Sequence, residues 1–195
     1  MKSNTRWACL LLLTAYTGIM TAACNTSGQT LPTSAPYRDL KQYFTDEMVH
    51  IRQNSTSMQK IVSLHQQHDT IRCKATDSTT LKDLLTPFLD ADINKASLRG
   101  RYDSAVMLNE FNGSRSVVYT ARTSDINPRQ IMLELDASGQ IKEVTVDSYT
   151  HNLVYEARRK LYYRQQQNVQ INTYEKIAFL QPKELTIQVQ LSAKQ

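Results

Sequence analysis

Beyond Gly100 the sequence settles into an alternation with a period of two and holds it to Leu191. Tyr102, Ser104, Val106 and Leu108 alternate with Asp103, Ala105, Met107 and Asn109, and Val117, Tyr119 and Ala121 follow the pair Asn112-Gly113, which suits a tight hairpin. Ile131, Leu133 and Leu135 run into Asp136-Ala137-Ser138-Gly139, a turn with glycine where a left-handed residue is expected. Val144 and Val146 come next, out of step with Ile141, which predicts a bulge between them. Leu153, Tyr155, Ala157, Leu161 and Tyr163 share a parity broken by Arg159; Val169, Ile171, Thr173 and Ile177 share another; Leu185, Ile187, Val189 and Leu191 close the series. Side chains of a strand point alternately to opposite faces, so this pattern describes an antiparallel meander of seven strands, apolar on one face.

Helical spacing is confined to the residues before the meander. Leu40, Phe44, Met48 and Ile51 predict an amphipathic helix over 37–53, and Leu81, Leu84, Leu85, Phe88 and Leu89 predict a second over 79–89, where Pro87 is tolerable only near the end. Between them, 58–65 and 70–75 read as two short strands around Gln66, Gln67, His68 and Asp69, with a helix continuing through His68 as the competing reading. Helices that precede strands rather than alternate with them argue against a parallel α/β sheet. The expectation is an α+β fold, with the N-terminal helices against a curved, mainly antiparallel β-meander sheet.

The first 23 residues have the layout of an export signal: Lys2 and Arg6 at the start, an apolar stretch over 7–20, and small residues before Cys24. That stretch is too short and too interrupted for a membrane span. Residues 24–36 carry no charge and too few apolar groups to order themselves, so they read as a tether of roughly 20 Å between Cys24 and one globular domain over 37–195. Loss of Lys2 and Arg6 with the leader lowers the formal charge from +5 to +3. So small an excess describes a surface of mixed sign and gives no reason to expect a nucleic-acid partner.

Cys9 falls in the leader and Cys24 directly follows it at the anchor position, leaving Cys73 with no intramolecular partner. It is expected to be a buried thiol, with availability to another molecule as the alternative.

Chemical motifs are sparse. Asp90, Asp92 and Asn94 open like a calcium loop, but Lys95 and Arg101 stand where glycine and glutamate are needed. His65, His68, Asp69 and Cys73 are zinc-ligand types at no recognised spacing. No Gly-x-Ser-x-Gly elbow and no glycine-rich phosphate loop occurs. No catalytic residue, metal or cofactor is therefore assigned. Arg158, Lys160 and Arg164 fall on one face of a strand with Glu156 and Tyr162; they form either a solvated outer face or a basic interaction face for acidic headgroups or an acidic partner.

Thr21-Ala22-Ala23-Cys24 resembles the lipobox of bacterial lipoproteins, with Thr21 where Leu, Val or Ile is usual; an ordinary signal-peptidase cut nearby is the alternative. Together with the segment Phe88-Leu89-Asp90-Ala91-Asp92-Ile93-Asn94-Lys95 and the meander, it is similar to the small uncharacterised lipoproteins of Bacteroidota. The resemblance implies acylation of Cys24, and the absence of acidic residues over 25–29 implies retention at the outer membrane facing the periplasm. The expected function is a non-enzymatic binding or envelope-assembly module with a protein partner. A carrier of lipid or another apolar ligand in the concave face of the sheet is the first alternative, and an unrecognised hydrolase the second.

Overall fold

The computed structural model describes residues 37–65 and 67–193; the leader, Cys24 and the tether lie outside them. It is an α+β structure with two α-helices and a nine-stranded antiparallel sheet. Helix α1 is Leu40–Asn54 and helix α2 is Ser78–Asp90. The strands are β1 (Ser55–Leu64), β2 (Gln67–Lys74), β3 (Tyr102–Leu108), β4 (Arg115–Ala121), β5 (Gln130–Leu135), β6 (Ile141–His151), β7 (Tyr155–Arg164), β8 (Asn168–Ile177) and β9 (Lys183–Ala193). Across the sheet they run β2-β1-β9-β8-β7-β6-β5-β4-β3.

Each helix begins at an aspartate whose carboxylate accepts from otherwise unpaired backbone N–H groups: Asp39 from Gln42 at 2.8 Å, and Asp77 from Thr79 at 3.1 Å and Thr80 at 3.3 Å. Pro87 falls in the last turn of α2, where the donor it lacks disturbs least. The buried positions of α1 are Leu40, Phe44, Glu47 and Ile51, so the third place in the stripe belongs to a glutamate and not to Met48. Leu81, Leu84, Leu85 and Phe88 are buried on α2.

The seven-strand meander is β3 to β9. The N-terminal strands extend it, because β1 pairs antiparallel with β9, with Met58 opposite Leu191 and Val62 opposite Ile187. The β1–β2 hairpin is longer than the sequence suggests: pairing reaches Leu64 opposite Gln67, and His65 turns the chain at φ 55°. The expected bulge is present, since Glu134 faces Glu143 and Leu135 faces Ile141, leaving Lys142 as the extra residue of β6. The Asn112-Gly113 pair does not make a two-residue turn. It sits in a longer connection closed by Asn109 N–H to Ser114 at 2.9 Å and Gly113 N–H to Asn109 at 2.8 Å, in which Gly113 takes φ 70°.

One face of the sheet carries the buried residues, among them Ile131, Leu133, Val144, Val146, Leu161, Tyr163, Val169 and Val189. On this inner face the rings of Phe44 and Phe88 meet Tyr163 at centroid distances of 5.2 and 6.1 Å. The connections β4–β5, β6–β7, β8–β9 and β1–β2 lie at one end of the strands, and β3–β4, β5–β6 and β7–β8 at the other. Tyr37, at the start of the described chain, packs at the first of these ends, its hydroxyl donating to the Tyr102 carbonyl at 3.1 Å and its ring 5.3 Å from that of Tyr119.

Candidate functional site

Alternation along β7 sends Glu156, Arg158, Lys160, Tyr162 and Arg164 to the outer face, in agreement with their shared parity. Register then supplies each cation with a carboxylate. Arg158 pairs with Glu156 at 2.7 Å, Lys160 with Asp147 on β6 at 3.7 Å, and Arg164 with Glu143 on β6 at 2.8 Å. Tyr162 also donates to Glu143, at 3.0 Å. The three cations on the outer face of β7 are thus each paired with a carboxylate.

Two rows of these outer residues enclose a groove of about 670 Å³ that crosses β6 to β9. One wall is Asp147, Lys160, Asn172 and Thr186, which lie opposite one another in successive strands; the other is Tyr149, Arg158, Tyr174 and Glu184. Between the rows runs the backbone of Ser148, Arg159, Thr173 and Leu185, whose side chains belong to the opposite face. The Arg158 guanidinium lies over Tyr149 at 5.4 Å and over Tyr174 at 6.0 Å. Arg129, at the β5 end, lies over Tyr149 at 5.8 Å and donates to its carbonyl at 3.2 Å. Planar cations held against ring faces lose little further freedom when a ligand arrives, so the wall is preorganised. Arg164 lies outside the groove.

Arg159 interrupts the apolar parity of β7 because it points to the inner face beyond the packed core, opposite Ser148 and Thr173. It has no ion-pair partner among the described residues.

The remaining sequence candidates have structural partners. Asp92 accepts from the Asn94 backbone at 3.3 Å and its side chain at 3.1 Å, while the Asn94 amide donates to the carbonyls of Tyr37 at 3.3 Å and Arg38 at 3.2 Å. This segment clamps the incoming chain to the end of α2. His65 Nε2 donates to the Pro182 carbonyl at 3.2 Å, and His68 Nδ1 contacts Ser63 Oγ at 2.7 Å on the outer face. Asp69 and Cys73 belong to the inner parity of β2, so these four residues do not converge. No cluster of three or more metal-ligating residues occurs among the described residues. Cys73 is half-buried, packed against the core beside Met58, Lys60, Thr80, Leu84 and Val189, around a gap of about 10 Å³.

Glu47, which is not among the residues expected from the sequence, is buried and accepts from the Tyr163 hydroxyl and, at 3.3 Å, from the Gln165 amide. Burial and then the nearby Glu47 carboxylate push the hydroxyls of Tyr163 and Tyr43 well above the ordinary phenol range. The signal was present in the spacing: Glu47 follows Phe44 by three and precedes Ile51 by four, as a core-facing residue would.

This chain matches no family model, no curated protein and no solved structure.

Proposed function

We propose that this chain is a lipoprotein of the cell envelope, acylated on Cys24, held at the outer membrane facing the periplasm, and acting as a non-enzymatic binding module. The observation that carries the binding reading is the groove across β6 to β9, with its stacked Arg129, Arg158, Tyr149 and Tyr174 and its wall of hydrogen-bonding side chains. Arg158 and Lys160 are paired with Glu156 and Asp147, and Arg129 is held against Tyr149 and two backbone carbonyls, which supports a protein partner offering flat apolar faces and hydrogen-bonding groups of both kinds. The basic face of Arg158, Lys160 and Arg164 is in this reading one side of an ion-pair lattice, and Arg158 its centre.

Crosslinking and pull-down from native membranes test the reading, with Arg158→Glu as the comparison. The expected result is a partner that co-purifies with the wild type and is lost from a folded variant. Equal recovery from both would overturn the assignment of the groove. Mass spectrometry of the N-terminal peptide tests acylation separately, and an unmodified peptide starting elsewhere would overturn that part.

A carrier of an apolar ligand is the second reading, supported by exposed Leu64 and Ile71 and half-buried Val62, Leu185 and Ile187 on the inner parity of β1, β2 and β9. In this reading the helices lie against a curved sheet and leave that strip for the ligand. The small gap beside Cys73 and the closely packed Phe44, Phe88 and Tyr163 weigh against a ligand beneath the helices themselves. Lipid analysis of the purified protein separates the two readings.

A further inference from the structure

At the end of the sheet where Tyr37 packs, two neighbouring loops hold large apolar side chains out of the protein. Leu153 and Val154 lie between β6 and β7, and Phe179 and Leu180 between β8 and β9; Leu153 and Phe179 are fully exposed, at 100% and 105% of their reference areas. Val154 and Leu180 are also exposed, as is Ile177 at the end of β8. Single exposed apolar residues are commonplace, but a group of five at adjoining strand ends is not.

These loops are built structures. Asn152 Oδ1 accepts from the backbone of Val154 at 3.0 Å and of Tyr155 at 2.8 Å, and Ala178 N–H donates to the Val154 carbonyl at 2.8 Å, tying one loop to the other. Leu180 N–H closes the second turn on Ile177 at 3.0 Å. Phe179 takes φ 65°, a conformation that a bulky side chain adopts only when its surroundings impose it. These bonds fix the two turns while their apolar side chains are presented outward.

We propose that Leu153, Val154, Phe179 and Leu180 form a membrane-contact tip that inserts into the surface of a lipid bilayer, with the strands standing end-on to it. Two features favour lipid over a protein partner. The fully exposed residues stand on separate projecting turns, a shape that penetrates a fluid surface more readily than it forms the continuous core of a protein interface. The described chain also begins toward this end: Tyr37 packs beside β3 and β4, two or three strands across from β6 and level with Val146 to Ser148, roughly 20 Å short of the β6–β7 turn along the strand direction. A tether of roughly 20 Å lets an acylated Cys24 reach the surface the tip would enter. That the surface is the anchoring membrane rests on the acylation reading, whereas insertion itself does not. Lys176 and Lys183 beside the loops are matched by Glu175 and Glu184, so the contact is apolar and insensitive to salt.

In protein made from residue 24 onward, which omits Trp7, Phe179→Trp places the one tryptophan at the tip, where it can be excited apart from the tyrosines. The test uses this variant in an unacylated Cys24→Ala background with phosphatidylcholine vesicles. The expected result is a blue-shifted emission quenched by lipids brominated along the acyl chain, unchanged by salt. Leu153→Asp combined with Leu180→Asp should weaken vesicle binding on the order of tenfold or more while circular dichroism stays native. Emission that is neither shifted nor quenched in a folded protein would overturn the proposal, as would burial of the tip in a dimer seen by light scattering. Failure of acylation leaves this experiment intact. Failure of the tip in acylated Phe179→Trp would instead appear as membrane-bound protein with unshifted emission.

Discussion

The hydroxyl of Tyr163 on β7 donates a hydrogen bond to the carboxylate of Glu47 on α1, with both side chains buried. Gln165 donates to the other carboxylate oxygen at 3.3 Å, and the backbone N–H of Gln166 donates to the Tyr163 oxygen at 3.4 Å. A single polar cluster therefore joins the first helix to the middle of the sheet, ringed by Tyr43, Phe44 and Phe88. Removing either partner strands the other in a place without water.

Tyr163→Phe should destabilise the domain by about 1–3 kcal/mol, because Glu47 keeps its burial and loses its best donor. Glu47→Gln retains an acceptor for the tyrosine and should cost less than Glu47→Leu. Urea denaturation of the three variants gives the order. If Tyr163→Phe and Glu47→Leu together cost as much as their separate effects summed, the two residues are not coupled as described.

Alkaline titration should divide the tyrosines. The hydroxyl of Tyr102 is pushed up to about 12 by burial and by Tyr37, and those of Tyr43 and Tyr163 higher still. A phenol whose value is raised by folding contributes stability that is complete below the unfolded value of about 10 and is lost as pH rises through the folded one. The phenolate absorbance of Tyr43, Tyr102 and Tyr163 should therefore appear only above the ordinary phenol range, as the protein unfolds. A single transition near pH 10 with the fold retained would contradict this.

Phe88→Ala should cost about 3–5 kcal/mol, since its ring is buried against Phe44 at 4.8 Å and Tyr163 at 6.1 Å, and neither the α2 backbone nor the sheet can close the cavity. Thermal unfolding followed by circular dichroism measures the loss. A negligible shift would mean that the contact between α2 and β7 is loose.

Cys73 should react slowly with a bulky thiol reagent in the native protein and rapidly once denatured, because its half-buried side chain borders only a small gap beside Met58, Thr80 and Leu84. Rapid stoichiometric labelling of the native state would show it accessible and reopen a redox role.

The regular elements were legible because their periodicities are strong. Alternation placed β3 to β9, and the stripes through Leu40, Phe44 and Ile51 and through Leu81, Leu85 and Phe88 placed both helices. Strand β2 was shortened in the reading because it is an edge strand with largely exposed residues, so His68 and Asp69 look like a turn when they continue a ladder. Glu47 was missed because its place in the stripe was given to the adjacent apolar Met48, whereas a hydrogen-bonded carboxylate can sit within such a stripe. The groove is a property of register. Asp147, Arg158 and Tyr174 come from three strands and Arg129 from the residue before β5, and no local spacing records that they meet. Arg158, Lys160 and Arg164 were placed on their face from parity alone, but their partners Asp147 and Glu143 depended on the β6–β7 alignment.

The pairing of β1 with β9 bears on when the domain can form. Strand β9 is interior, flanked by β8 and β1, so the strand next to the edge on one side of the sheet waits for a partner synthesised at nearly the opposite end of the chain. A chain emerging from its N-terminus can assemble α1, β1 and β2 only as a hairpin with an open side, and contacts of such long sequence separation form slowly. The sheet therefore cannot close until β9 has been made, and until then β1 keeps an unpaired edge open to other partners.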